Sequence, residues 1–153
     1  MRKTLTKNIM KKCDICRRQI LINEHRFGSC DYCGWSNSEA ALENPNEVLL
    51  SNFVSFNRAR TLHTEGKPII PNFEEFMEVL YQYGEMQFDY LGRTFGVIRG
   101  DVETGRNIDL FDVNKSDSYV KFFDYDDFRQ NAKIDDKPLR DIWNEVIGVN
   151  FLQ

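Results

Sequence analysis

The clearest periodic pattern in the chain lies in its second half, over residues 72–84. Asn72 and Glu75 have the spacing of a capping box, in which each side chain accepts a hydrogen bond from the backbone N–H of the other residue. Hydrophobic residues then recur at helical spacing as far as Gly84, a residue type at which helices commonly end. The pattern predicts a helix with a buried face formed by Phe73, Phe76, Met77, Leu80 and Tyr83.

After Gly84 the hydrophobic period changes from helical to alternating. Gly92 permits a tight turn between the first two alternating stretches, and polar stretches separate the later ones. The predicted strands cover residues 86–90, 94–98, 106–113 and 118–123. Met86, Phe88 and Tyr90 are expected on one face of the first strand. Four sequential strands with short connections predict an antiparallel meander.

Two short helices are predicted at the end of the chain. Asp124 can cap the first, over residues 125–131, and Asp136 can cap the second, over residues 139–146, with Pro138 at its start. The inward face of the second helix is expected to consist of Leu139, Ile142, Trp143 and Val146. Helices packed on one face of a four-stranded antiparallel meander give an α+β domain.

A further helix is predicted over residues 51–66, because Ser51 or Ser55 can cap it and Gly66 with Pro68 would end it. Its hydrophobic stripe would consist of Phe53, Phe56, Ala59 and Leu62. Its polar side includes His63, which could be a metal ligand. A solvated helix face is the simpler interpretation of this side.

All four cysteines of the 153-residue chain occur in two Cys-x-x-Cys pairs near its beginning. Tetrahedral zinc needs four soft donors at about 2.3 Å, and a two-residue spacer lets one tight turn direct both sulfurs at the same ion. Between the pairs, residues 17–29 are long enough for two strands with a turn at Asn23-Glu24. The spacing predicts a zinc ribbon with one Zn²⁺ bound by Cys13, Cys16, Cys30 and Cys33. Iron, a redox dithiol and disulfides are the alternatives.

The probable compartment bears on these alternatives. Residues 1–10 lack the apolar run of a secretory signal, and no stretch approaches the length of a membrane span, so we expect a cytoplasmic protein with no membrane partner. In a reducing cytosol, paired cysteines serve as metal ligands more often than as disulfides. A redox motif would open a helix, and neither pair does so.

Charge is distributed unevenly along the chain. Residues 1–71 carry 11 Lys+Arg against 7 Asp+Glu, whereas residues 72–153 carry 9 against 17. The sign of the net charge changes where Pro68 and Pro71 interrupt the chain. We therefore predict three regions, which are a zinc ribbon at 1–50, a helical connector at 51–71 and an acidic α+β domain at 72–153. So small a ribbon would depend on its metal for folding.

No catalytic constellation is recognisable, and we expect the protein not to be an enzyme. The two histidines, His25 and His63, both precede the acidic region, which excludes a Ser-His-Asp arrangement within it. A two-carboxylate hydrolase or magnesium site could be formed by Asp109, Asp112, Asp124 and Asp127. Acidic residues at the start of a helix, however, are favoured by the helix dipole without any catalytic role.

Several of these motifs together resemble a known family. Over about residues 13–66 the chain resembles the bacterial cysteine-rich CPCC family. The similarity lies in the sequence CDYCGW, in Asn46, in Ser55-Phe56 and in the run from Asn57 to Arg60. The first knuckle departs from the family, because it lacks the adjacent Cys-Cys pair that gives the family its name. The resemblance implies zinc ligation by the four cysteines and no catalytic residue.

The second half resembles a small uncharacterised domain of Gram-positive bacteria and their mobile elements. The similarity lies in the order of FEEF, EMQFDY-LGRTFGVI and AKIDDKPLRDIW, which begin at residues 73, 85 and 132. Some relatives of both halves resemble immunity proteins, which are encoded beside secreted toxins. The resemblance therefore implies a cytoplasmic antitoxin whose partner is a cognate toxin domain.

Two functional hypotheses follow. The first is an interaction protein whose acidic half binds the basic surface of a toxin domain, with Asp109, Asp112, Asp124 and Asp127 as candidate contacts. The alternative is a nucleic-acid-binding regulator that uses the ribbon and its basic arm. The basic arm consists of Arg2, Lys3, Lys7, Lys11, Lys12, Arg17 and Arg18. Its simpler interpretation is a solvated terminus, because aromatic residues that could stack on bases are nearly absent from it.

Overall fold

The computed structural model describes residues 9–22, 29–49, 52–100 and 107–152. The chain divides into two compact units, Met1–Ile69 (unit 1) and Ile70–Gln153 (unit 2). Both units combine helices with antiparallel strands, so the predicted α+β class is confirmed. The predicted turn at Asn23-Glu24, the alternative cap Ser51 and the basic residues before position 9 lie outside the described residues.

Unit 1 contains a two-stranded sheet and two helices. Its elements are β1 (Ile9–Lys12), β2 (Gln19–Ile22), α1 (Glu39–Glu43) and α2 (Phe56–Thr64). β1 pairs with β2 in an antiparallel register that runs from Ile9 opposite Ile22 to Lys12 opposite Gln19. Residues 9–12, at this end of the basic arm, are solvated as expected, although they are paired in a strand. All four residues of β1 are exposed, so no hydrophobic alternation marked the strand.

The helix predicted over residues 51–66 begins later than expected, at Phe56. Ser55 is its cap, with the hydroxyl accepting from the backbone N–H of Arg58 at 3.3 Å. Phe53 has a φ of 61°, in the left-handed region, and this conformation prevents the helix from extending back toward residue 51. At the other end Gly66 follows with a φ of 68°, as its predicted role in ending the helix requires.

The core of unit 1 joins the cysteine region to α2. Trp35 is 1% exposed, and its ring lies in edge contact with Phe56 at 5.9 Å between centroids. Ala59 and Leu62 of α2 belong to the same buried cluster as Trp35. The segment predicted as a connector therefore packs with the ribbon segment rather than standing apart from it.

Unit 2 is a five-stranded antiparallel sheet with helices. Its elements are α3 (Phe73–Tyr83), β3 (Glu85–Tyr90), β4 (Arg93–Arg99), β5 (Ile108–Asp112), β6 (Val120–Phe122), α4 (Tyr125–Asn131), β7 (Lys133–Ile134), β8 (Lys137–Pro138), α5 (Leu139–Ile142) with a 3₁₀ turn (Trp143–Glu145), and β9 (Ile147–Asn150). The strand order is β6-β5-β4-β3-β9. The predicted meander is present, but the expected count of four strands was wrong. β9 forms an edge and is largely exposed, so alternation did not reveal it.

Local sequence signals set most boundaries of unit 2. Both bonds of the Asn72–Glu75 capping box are present, at 2.8 and 2.9 Å, and α3 ends at Gly84 with a φ of 82°. Leu91 and Gly92, with φ of 49° and 74°, form the β3–β4 turn, since positive φ at both central residues suits a two-residue hairpin.

The predicted cap at Asp136 was wrong. Asp135 and Asp136 have φ of 50° and 64° and lie between β7 and β8, so they form a hairpin turn. α5 instead follows Pro138, without a side-chain cap. Aspartate tolerates the left-handed conformation as readily as it caps helices, and the sequence signal for the two roles is the same.

An aromatic cluster around Trp143 forms the centre of the unit 2 core. The Trp143 ring lies 4.6 Å from Phe76 and 5.4 Å from Phe88, measured between centroids. Its indole N–H donates to the buried carbonyl of Pro71 at 2.8 Å. The four residues predicted to face inward are all buried; they are Leu139, Ile142, Trp143 and Val146. The prediction was wrong for Tyr83, which is 49% exposed and stacks on Phe151 at 4.1 Å.

We expect a fragment of residues 70–153 to fold without metal. It retains the sheet, its helices and the Pro71 carbonyl that accepts from Trp143. Trp143 is the sole tryptophan of this fragment, so its fluorescence should be blue-shifted and should change cooperatively in urea. A red-shifted spectrum without a cooperative transition would show that unit 2 needs unit 1.

Candidate metal centre

The four cysteine sulfurs converge in unit 1. All four Sγ atoms lie within 4.8 Å of one another. Two of the distances between the pairs are 3.5 Å, from Cys13 to Cys33, and 3.6 Å, from Cys16 to Cys30. Metal–sulfur bonds of about 2.3 Å in a tetrahedron place neighbouring sulfurs about 3.8 Å apart. The predicted ligands are therefore close enough to bind one metal ion between them.

The two knuckles repeat the same backbone geometry. In the first, Cys13 N donates to Arg18 O at 2.8 Å and Arg17 N donates to Cys13 O at 3.0 Å. In the second, the N–H of Cys30 and the N–H of Gly34 make the equivalent bonds, at 2.8 and 2.9 Å. The residue after the second cysteine has positive φ in both knuckles, 64° at Arg17 and 79° at Gly34. Only the second knuckle has glycine, the residue type suited to that conformation.

Backbone amides point at the sulfurs and act on their acidity. Burial raises the pKa of the Cys13 and Cys33 thiols. Burial is also the largest influence on Cys30, but backbone N–H groups of Cys33 and Tyr32 donate to its sulfur, and its pKa lies below the ordinary value. Such donors stabilise thiolate, which is the form that binds metals. The donor set thus fits a cation that prefers sulfur.

Two asparagine side chains hold the knuckles in place. Asn37 accepts from Asp14 N and donates to Lys12 O, both at 2.9 Å, so it ties the segment after the second knuckle to the first. Asn52 accepts from Ser36 N at 2.7 Å and donates to Ser36 O at 2.9 Å. Sequence reasoning missed both residues, because an asparagine in a loop usually signals only a turn.

One side of the sulfur cluster faces a groove. Cys13 and Cys30 are buried, whereas Cys16 and Cys33 are half-buried and line a groove of about 650 Å³. On the same groove the Arg18 guanidinium lies 4.4 Å from the centroid of the Tyr32 ring. Among the described residues the four cysteines are the one group of clustered metal ligands, and His63 is not part of it. His25 lies outside the described residues.

Among the aspartates predicted to bind a partner, those on β5 are the less exposed. Asp112 is 5% exposed and forms an ion pair with Arg93 at 3.2 Å. The backbone N–H of Asn114 and the charge of Arg93 lower its pKa. Its ionised form therefore favours the folded state above the ordinary aspartate pKa, and acid removes this contribution as Asp112 becomes protonated. Asp109 is half-buried on the same strand.

The other two predicted aspartates organise the start of α4. Asp124 is its cap and accepts from Asp127 N at 2.8 Å. Asp127 accepts from Phe123 N at 2.8 Å and from the Asn131 side chain at 2.7 Å, and these bonds lower its pKa. Within the described residues these carboxylates do not gather into a metal-binding group. Their role in binding a partner stays a prediction.

Comparisons with known proteins leave the family of the chain open. No family model, no curated protein sequence and no solved structure matches it. The resemblances to the CPCC family and to immunity proteins therefore stay predictions. In the described part of the chain, no helix combines the length and the apolar character needed to cross a membrane.

Adding a Cβ at Gly34 and removing one at Arg17, the equivalent position of the first knuckle, should change the stability of unit 1 in opposite directions. We expect Gly34→Ala to lower the free energy of unfolding of unit 1 by about 1 kcal/mol, since the left-handed conformation disfavours a Cβ. No atom lies within 4 Å of the added Cβ, so the cost would be conformational. Arg17→Gly should raise the stability by several tenths of a kcal/mol.

The measurement is urea unfolding followed by the NMR signal of the Trp35 indole. Arg17→Ala is the control, because it removes the same side chain but keeps a Cβ at the positive φ of 64°. If Arg17→Gly were no more stable than Arg17→Ala, the conformational argument would be wrong.

Proposed function

We propose that this chain is a zinc-binding interaction protein, in which unit 1 is held together by one structural Zn²⁺ and unit 2 binds a basic protein partner. The observation that carries the metal proposal is the convergence of four sulfurs from two equivalent knuckles. A site with four protein ligands leaves no open position for water or substrate. We therefore assign the metal a structural role.

Charge supports the proposal of a basic partner. Residues 72–153 carry 17 Asp+Glu against 9 Lys+Arg. An excess of this size attracts a basic surface over a distance of about 10 Å at ordinary salt and increases the rate of encounter. The most specific form of the proposal is an immunity protein in the cytoplasm that neutralises a secreted toxin domain. The sequence resemblance of both halves supports this form.

A nucleic-acid-binding regulator is the second candidate, and one contact favours it. Arg18 and Tyr32 place a cation and an exposed aromatic ring side by side, with Lys67 lining the same groove. Cations and aromatic rings together are typical of single-strand binding. Four thiolates around a divalent ion, however, carry a net negative charge beside that groove and would repel phosphate.

The metal proposal predicts one zinc per chain in protein expressed without added metal. Native mass spectrometry with elemental analysis would measure it, and iron would differ in mass and visible absorption. Cys30→Ser should lose the zinc and unfold residues 13–35, with exposure of Trp35. The NMR signals of Trp143 in unit 2 serve as the internal control and should persist. Fully folded, metal-free protein with bridged or reactive thiols would contradict the proposal.

The partner proposal predicts tight binding to a toxin domain encoded immediately upstream. Surface plasmon resonance should give an on-rate that falls as salt rises. Charge reversal at Asp109, Asp124 and Asp127 should weaken binding more than reversal of Arg17 and Arg18 does. We leave Asp112 out, because reversing it would break its buried pair with Arg93. Asp109 has a buried carboxylate oxygen, and Asp124 and Asp127 hold the start of α4, so each variant must first keep the circular dichroism spectrum of the parent chain.

The same preparation distinguishes the second candidate. An immunity protein should have no measurable affinity for duplex or single-stranded nucleic acid at physiological salt. Sub-micromolar DNA or RNA binding would favour the regulator if it disappeared when Lys11, Lys12, Arg17 and Arg18 were neutralised.

A further inference from the structure

Helices α3 and α4 of unit 2 flank a groove of about 690 Å³. Its lining combines aromatic and acidic side chains, and among the residues that the structure describes, Arg129 is the one basic residue in it. The lining includes Tyr81, Tyr125, Glu74, Glu78 and Asp126. None of them was singled out as a binding residue from the sequence.

The groove presents an aromatic pair to solvent. The rings of Tyr81 and Tyr125 meet edge to face, with 5.2 Å between their centroids. Tyr125 is held in position by its hydroxyl, which donates to Leu80 O at 3.4 Å. Tyr81 is nevertheless 68% exposed, so much of its ring is open to a ligand. Exposed tyrosine beside a concave surface is a common feature of interface centres.

The carboxylates of the groove fall into two groups. Glu74 pairs with Arg129 at 2.8 Å, the Glu75 carboxylate accepts from Asn72 N in the capping box of α3, and Asp124 caps α4. Glu78 and Asp126 are exposed, and neither has an ion-pair partner among the residues that the structure describes. These two carboxylates remain available to a ligand.

Helix stabilisation does not account for Glu78 and Tyr81. Acidic residues in the first turn of a helix interact favourably with its dipole, which explains Glu74 and Asp126. Glu78 lies beyond the first turn of α3, three residues before Tyr81, and so on the same side of the helix. A carboxylate beside an open aromatic face is the arrangement that receives a long cationic side chain.

We propose that this groove binds a lysine or arginine side chain of the protein partner, with the aliphatic stem on Tyr81 and Tyr125 and the charged head at Glu78 and Asp126. The proposal rests on the proposed function, in which unit 2 binds a basic protein. Acidic residues outnumber Arg129 five to one in the lining, so the groove attracts cations and repels anions. Arginine suits it better than lysine, because its planar group stacks on aromatic rings.

The first test uses a synthetic peptide, so that it does not depend on knowing the partner. The full chain is titrated with a 12-residue peptide that contains four arginines, and the backbone amide NMR signals are followed. We expect saturable shifts concentrated at residues 77–81 and 125–129. A matched peptide with citrulline in place of arginine, which keeps the shape and removes the charge, should cause none. Shifts spread over all acidic residues, or no saturable shifts, would overturn the proposal.

Paired variants locate the interaction within the groove. Glu78→Lys should lower peptide affinity about tenfold, and Tyr81→Ala should lower it several-fold. The controls are Glu145→Lys, which makes the same charge change at an exposed residue outside the groove, and Tyr83→Ala, which removes a half-exposed tyrosine from the same helix. Both controls should stay within about twofold of the parent chain. Equal losses in the groove and control variants would contradict the assignment.

The same variants, applied to the upstream-encoded toxin domain, separate the two proposals. If the peptide binds the groove and the toxin domain does not bind at all, the immunity proposal fails and the groove assignment stands. If the toxin domain binds the parent chain and both groove variants equally, the groove assignment fails and the immunity proposal stands.

Discussion

The structure of unit 1 depends on holding four cysteine sulfurs within 4.8 Å of one another. Four thiolates at such distances would repel, and four thiols, two buried and two half-buried, would contribute little, so this cluster would become stabilising on binding a cation. The surrounding backbone serves the same geometry. Arg17 adopts a left-handed conformation. The side-chain amides of Asn37 and Asn52 bond to backbone groups of neighbouring segments, as the backbone of a paired strand would. The small core around Trp35 is built on this cluster.

Local signals in the sequence predicted the elements whose residues are buried. The capping box at Asn72, the alternation of Met86, Phe88 and Tyr90, and the cap at Asp124 each leave a pattern within a few residues, and each is present. β1 and β9 are exposed edges, so burial imposed no pattern on them. They form because a neighbouring strand offers hydrogen bonds, and that information lies elsewhere in the chain.

At the candidate metal site, too, the sequence predicted the local features and not the distant ones. Cysteine spacing predicted which sulfurs converge, because the knuckle is a local structure. It could not predict Asn37, whose partners Asp14 and Lys12 lie more than twenty residues away in sequence. Composition likewise predicted an acidic surface, but it could not show which carboxylates are already paired. Asp112 pairs with Arg93, whereas Glu78 has no such pair among the described residues, and both count equally in the net charge.

This division of the acidic residues bears on how unit 2 could recognise a partner. A carboxylate that caps a helix or pairs with arginine is already engaged, and using it for binding would cost the contact that it makes in the free protein. Glu78, which lies beyond the first turn of α3 and has no ion pair among the described residues, carries no such cost. If binding and folding use different acidic residues, all of these residues still contribute to the long-range electrostatic field, which increases the rate of encounter with a basic partner. Specific contact then falls to the few, such as Glu78, that have no ion pair among the described residues and lie beside an open aromatic face, because there a cation gains attraction without displacing such a pair.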